Sequence, residues 1–124
     1  LAAARWEEAD LLDIRAAYQA LESCIRTGRL GVDADARFHQ AIARATHNHY
    51  HVSVQLSLEA HIAIGMNLTR NLSMLRTDAR LRLVQDEHTA ILAALEKRNA
   101  GAARTAMEVH IENARRRMFE GAPV

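Results

Sequence analysis

The sequence predicts an all-α fold, an antiparallel helical bundle of about six helices forming one domain, and three observations carry that expectation. The 124 residues are 49% apolar, with one Pro and five Gly, a composition that favours helices over sheet. Apolar residues recur at three- and four-residue steps along most of the chain, the spacing of one helix face. The breaks between these stripes are short and carry turn and cap residues. The length suffices for one sizeable core. There is no repeat, low-complexity segment or linker to divide it.

In chain order, Leu1 to Trp6 reads as the tail of a helix. Glu7-Glu8-Ala9-Asp10 is acidic, as a first turn prefers. Leu11, Ile14, Tyr18, Leu21 and Ile25 then form a stripe that ends near Thr27-Gly28. Arg29 to Val32 is a loop, and Asp33 is an expected N-cap for a short helix from Ala34 to about Thr46. His47-Asn48-His49 breaks the pattern. A long helix is expected from Tyr50 to Leu72, with Val54, Leu58, His61, Ile62, Gly65 and Leu68 on its inner side. Asn71 to Arg76 reads as a loop, and Thr77 as the cap of the next helix. In that helix Leu81, Val84, His88, Ile91 and Leu95 share a face. Arg98-Asn99-Ala100-Gly101 is a tight connection with Asn99 as a cap. In the last helix Ala103, Met107, His110, Ala114 and Met118 share a face, and Pro123 lies beyond it.

Each of the last two stripes carries a histidine where an aliphatic residue would be the ordinary choice. His88 and His110 are equally spaced about Asn99. At about 1.5 Å per residue both lie roughly 16 Å from the turn, so an antiparallel hairpin sets them side by side. In the short helix Phe38, Ile42 and Ala45 mark the buried face, and Asp35 and His39 share it at a spacing of four. A buried Asp and three buried His are costly unless satisfied. Hydrogen bonding within the core, for instance Asp35 to His88, is one solution. A divalent metal held by Asp35, His39, His88 and His110 is the other, and it is the one expected here. Imidazole with one carboxylate suits zinc first, with nickel or manganese as alternatives.

Other signals are weaker. His47, His49 and His51 straddle a helix break and read as a solvated turn. His61 lies near an inner stripe and is a candidate for lining the same pocket. Asn113 shares the face of His110 and is a candidate for orienting a ligand. Arg115-Arg116-Arg117 complements a helix C-terminus more readily than it binds DNA. The formal net charge of +1 gives no gross attraction to nucleic acid or anionic membrane. The one cysteine, Cys24, reads as a small core residue and fits a reducing, cytoplasmic setting. No apolar run approaches the roughly 20 residues that span a bilayer, and no signal segment opens the chain. Glu-x-x-His pairs, His-Glu-x-x-His, a Gly-rich phosphate loop and Gly-x-Ser-x-Gly are absent, so no enzyme is expected.

Asp35-x-x-Phe38-His39-x-Ala41-Ile42, Ala45-Thr46-x-Asn48, Glu87-His88-x-x-Ile91-x-x-Ala94-Leu95 and Ala106-Met107-x-x-His110-Ile111 together resemble the FCD domain. This is the C-terminal effector-binding domain of FadR-like GntR transcriptional regulators. The resemblance runs from Ala2 to about Met118. It implies six or seven helices behind an N-terminal winged helix-turn-helix, and a homodimeric regulator of a small-metabolite signal, often a carboxylate or sugar acid. In many members an Asp and three His hold a metal at the places matched by Asp35, His39, His88 and His110. Arg80 resembles a family Arg before the Glu-His pair, suited to a bidentate carboxylate contact, although its helical angle also fits a surface or interface role. The whole chain, 1–124, is expected to be the effector-binding and dimerisation domain, lacking the DNA-binding domain and most of the first effector-domain helix. DNA contact is expected only through that missing domain.

The resemblance thus implies a sensor. Four protein ligands leave one or two metal positions for water or an effector carboxylate, and a +2 ion against one Asp favours an anion. Two rivals remain open. A helical metalloenzyme would activate water at the Asp-His₃ site, with Glu87 or Glu59 as base. A metal-free interaction module would use Asp35 and the histidines only to hydrogen-bond one another.

Overall fold

The computed structural model describes residues 1–68 and 78–119, with the backbone alone at 62–68, 78 and 118–119. Among these residues lie six helices and no strand: α1 Ala2–Arg5, α2 Glu8–Arg26, α3 Val32–Ala45, α4 His49–Leu68, α5 Asp78–Glu96 and α6 Ala100–Phe119. The loop expected at Asn71 to Arg76, the Thr77 cap, the Ile62, Gly65, Leu68 and Met118 side chains, and Pro123 fall outside what is described.

Capping chemistry sets most boundaries. Glu7 and Asp10 form a reciprocal capping box at the start of α2, satisfying backbone donors the first turn leaves orphaned. At its end Arg29 N–H donates to the Cys24 carbonyl (2.8 Å) and Gly28 N–H to Ile25 (3.3 Å). This is the paired C-terminal closure that needs a left-handed residue, supplied by Gly28 at φ 72°. The next helix starts earlier than the sequence suggested. Gly31, at φ 68°, is the N-cap of α3 and Asp33 sits inside the first turn, where its charge still favours the positive helix end. The α5–α6 turn closes as α2 does, with Arg98 N–H to Leu95 and Asn99 N–H to Ala94, both 2.9 Å. Here a non-glycine, Arg98, takes φ 51°. Asn99 then caps α6, its Oδ1 accepting from Ala102 N–H at 3.0 Å.

α2 packs between α3 and α5, α3 carries α4 on its other side, and α6 lies along α5. The main core gathers Leu11, Ile14, Phe38, Ile91 and Leu95. A smaller cluster of Leu21, Ile25, Ala34 and Leu81 closes the far end of α2. The short α1 is bolted across the base: Trp6 Nε1–H donates to the Leu95 carbonyl at 2.6 Å, and the Arg98 guanidinium stacks 3.7 Å above the Trp6 ring.

One expected face is different. Val54 and Leu58, assigned to the inner side of the long helix, are 58% and 53% exposed. Among the described side chains of α4 the half-buried positions are Val52, Gln55 and Glu59, and Glu59 is bound by Gln40 of α3 and by Gln55. Val52, Val54, Leu56 and Leu58 alternate every second residue. On a helix that spacing spreads apolar groups around the axis and defines no single stripe.

Candidate metal centre

Three helices meet where Asp35 and His39 of α3 face His88 of α5 and His110 of α6. α3 turns Asp35 and His39 toward one point because they are one helical turn apart, and Oδ1 of Asp35 lies 3.5 Å from Nε2 of His39. The short α5–α6 turn brings His88 and His110 level, with their Nε2 atoms 3.3 Å apart. Nε2 of His110 is 3.2 Å from Nε2 of His39, and Nε2 of His88 is 3.3 Å from Oδ1 of Asp35. His88 is fully buried and His110 nearly so. The wholly buried Phe38 ring stacks on His88 with centroids 4.4 Å apart, forming an apolar floor.

The far ring nitrogens decide which way the lone pairs point. Gln85 Nε2 donates to the Tyr18 carbonyl (3.1 Å) and to Glu22 (3.3 Å). Its Oε1 must then be the atom facing Nδ1 of His88, at 3.3 Å. An amide oxygen only accepts, so Nδ1 of His88 carries the proton and Nε2 carries the lone pair. Nδ1 of His110 lies 2.7 Å from Oε1 of Glu87. Burial opposes ionisation of Glu87, but hydrogen bonds from Arg117, His110 and Asn113 outweigh it and hold the carboxyl below its usual range. An ionised carboxylate also only accepts, so Nε2 of His110 is again a lone pair.

Both imidazoles are poised as neutral ligands. Burial pushes His88 down to about 3, with the Asp35 carboxylate working against that shift. Burial lowers His110 as well, against its hydrogen bond to Glu87. Two facing acceptors have no proton to share, and a carboxylate oxygen adjoins them. Such a set is stabilised by a cation. Ligands about 2.1 Å from a common ion sit roughly 3.0–3.4 Å from one another, and the neighbouring donor atoms here are separated by 3.2 to 3.5 Å. The donor set therefore fits a divalent late first-row metal.

The other candidate residues are placed differently. Asn113 is half-buried beside the cluster, but its amide N–H₂ donates to Oε2 of Glu87 at 2.8 Å. Arg80 is half-buried in the first turn of α5, two turns before His88. His61 is exposed on α4, with Nδ1 2.8 Å from the Ser57 carbonyl. Glu87 and Glu59, the bases considered for a hydrolytic site, are engaged: Glu87 by Arg117, Asn113 and His110, and Glu59 by Gln40 and Gln55. His47 reaches Asp10 at 2.7 Å, apart from the three-histidine cluster.

Sequence reasoning missed Gln85 and Arg117. Gln85 is fully buried one turn before His88, and Arg117 is buried against Glu87 rather than solvated with Arg115 and Arg116. A signal was present: Met107, His110, Ala114 and Arg117 continue one stripe at steps of three and four.

Comparison with known proteins agrees with this architecture. The FCD domain model matches residues 1–113. The chain is 30% identical over 112 residues to the Uxu operon regulator of Haemophilus influenzae, covering 90% of this chain and 42% of that protein. It is 30% identical over 113 residues to the HTH-type transcriptional regulator LutR of Bacillus subtilis, covering 91% of this chain and 52% of that protein. The chain thus spans about half the length of these relatives. Among the described residues no helix is long and apolar enough to cross a membrane. With the family model covering nearly the whole chain, it belongs to the FCD family, the effector-binding domains of GntR-type transcriptional regulators.

Proposed function

We propose that this domain is a metal-dependent sensor of a small carboxylate or sugar acid. Asp35, His39, His88 and His110 are the ligands, and zinc is the ion that suits them best, with nickel or manganese as alternatives. The observation that carries this reading is the convergence of the Nε2 lone pairs of His88 and His110 on Oδ1 of Asp35 and Nε2 of His39.

A bound divalent ion supplies positive charge and open positions for an anion. The protein leaves that charge only partly cancelled. Asp35 contributes one negative charge, while the charge of Glu87 is matched by Arg117. An effector carboxylate therefore completes the balance. Arg80 and Asn113 are second candidates for contacting it, and His61 a third from the outer helix. Differential binding of the effector to two helix arrangements would bias a winged-helix DNA-binding domain elsewhere in the full-length protein. The full-length regulator would act as a homodimer in the cytoplasm. Two relatives are named as regulators of an operon and of transcription, which supports sensing over turnover.

Elemental mass spectrometry on the purified domain tests the site. About one equivalent of metal in the parent, lost in His88→Ala and Asp35→Ala, is the expected result. No uptake after reloading with zinc, nickel or manganese would leave a hydrogen-bonded polar core instead. Carboxylates and sugar acids screened by thermal shift then identify the effector class. An effector recovered chemically altered would point to the metalloenzyme reading.

A further inference from the structure

The outer side of the cluster carries a second layer that spans two helices. Glu87 extends from α5 and is held almost entirely by α6. Its Oε1 accepts from Nδ1–H of His110 (2.7 Å) and Nη2 of Arg117 (2.7 Å). Its Oε2 accepts from Nδ2 of Asn113 (2.8 Å) and Nη1 of Arg117 (3.0 Å). These contacts fill the roughly four lone-pair sites of a carboxylate. The Glu87 and Arg117 side chains are only 13% and 9% exposed. A buried ion pair is weak evidence for stability, because desolvation offsets the attraction. Its placement against one histidine suggests another role.

We propose that Glu87, locked by Arg117 and Asn113, is the positioning residue that fixes His110 with Nε2 open to the metal and so sets the affinity of the site. The inference rests on the metal reading above. A neutral imidazole has two tautomers, and the one with its proton on Nε2 would aim hydrogen at the cluster and block coordination. An ionised carboxylate at Nδ1 selects the other tautomer and raises the basicity of the ligating nitrogen. Arg117 grips both carboxylate oxygens and Asn113 stops the group rotating. His88 has the neutral amide of Gln85 in this role, so of these two histidines it is His110 whose orientation is charge-assisted. Metal affinity then depends on the turns of α6 that carry Asn113 and Arg117, not on the ligands alone.

The test uses Glu87→Ala, Glu87→Gln and Arg117→Met beside the parent, each first shown to be helical in the metal-free state by circular dichroism. Zinc affinity is read by competition with a chromophoric chelator. The His110 tautomer is read in the metal-free proteins from ring ¹⁵N NMR shifts. The expected result is a tenfold to hundredfold loss of zinc affinity in Glu87→Ala, on the order seen for such outer partners. A smaller loss is expected in Glu87→Gln, which keeps an acceptor without the charge. His110 in the parent should be the Nδ1–H tautomer, with the Nε2–H form rising in Glu87→Ala. Should Glu87→Ala not fold, the near-isosteric Glu87→Gln decides. Zinc affinity within twofold of the parent, with an unchanged tautomer, overturns this inference alone. A parent that takes up no zinc overturns the metal reading and this inference with it.

Discussion

The Nε2 atoms of His88 and His110 stand 3.3 Å apart, each with its far ring nitrogen committed to an acceptor. Two lone pairs at that distance repel, so the metal-free domain carries a local cost that a cation removes. Metal should therefore stabilise the fold and not merely decorate it. Free zinc at 100 times its dissociation constant adds about 2.7 kcal/mol, or roughly 10 °C in melting temperature for a domain of this size. Thermal melts with and without a chelator measure this directly. A melting temperature unmoved by zinc, in protein shown to contain none, would contradict the expectation. In His110→Ala the zinc-dependent shift should vanish.

Gly31 should not tolerate a side chain. Its φ of 68° is left-handed, and an added Cβ would lie 2.5 Å from Cδ1 of Leu21 and 3.2 Å from Cβ of Cys24. The left-handed backbone costs an L-residue about 1–2 kcal/mol, and crowding against a fully buried leucine adds to it. Gly31→Ala should lose about 2–3 kcal/mol in urea unfolding, with an unchanged slope. Gly28→Ala, equally left-handed at φ 72° but with open space around it, should lose only the backbone part. The difference between the two isolates the packing component.

The stripes of α2, α3, α5 and α6 were legible because burial on one face imposes a period near 3.6, and the short turns carried their own markers in Gly28 and Asn99. The paired histidines could be read for the same reason, since equal spacing about Asn99 in a tight hairpin leaves one register. What was not legible depends on tertiary neighbours. Val54 and Leu58 read as inward because apolar residues are usually buried, yet the apolar residues of α4 are spread around its axis, and among its described side chains the half-buried ones are Val52, Gln55 and Glu59. Asp33 looked like a cap because local chemistry favours it. The tight approach of α2 and α3 at Gly31 instead placed the helix start two residues earlier. Arg117 was hidden inside a run of three arginines. Only the position of Glu87 on the neighbouring helix separates it from Arg115 and Arg116, which pair with Glu112 on their own helix.

Arg98 combines a strained backbone with a productive side chain, and two substitutions separate these. Its guanidinium covers Trp6 at 3.7 Å and donates to the carbonyls of Trp6 (2.8 Å), Ala4 (3.3 Å) and Ala3 (3.5 Å). The cation–π contact is worth about 0.5–1 kcal/mol at an exposed site, and the charge-assisted bonds raise the total to roughly 1–2 kcal/mol. Arg98→Ala loses these contacts and keeps the left-handed strain. Arg98→Gly loses them but relieves the strain by about 1 kcal/mol. Both variants should be less stable than the parent, or Gly close to it, with Gly above Ala. The reverse order would show that the turn is not held left-handed in solution.

Acid should unfold the metal-free domain earlier than a bundle of this composition would otherwise allow. His88 is held neutral, its pKa pushed from 6.5 down to about 3 chiefly by burial, with Asp35 working against the shift. Between those two values the unfolded chain binds a proton that the native state refuses, so stability rises with pH across this window. The contribution is fully present above about 6.5 and is lost as pH falls toward 3, at about 1.4 kcal/mol per pH unit for one such group. His110 is lowered in the same direction. Glu87 adds a loss of the same sign below its ordinary range, since its carboxyl is lowered too. Denaturant unfolding of the chelated domain at a series of pH values from 7.5 to 5 reads the slope. In His88→Leu, which removes one titrating group while keeping an apolar filling against Phe38, that slope should fall by about one proton's worth. Zinc-loaded protein should hold its stability to lower pH and then lose it more steeply, because the same protons compete with the ion for the imidazole nitrogens.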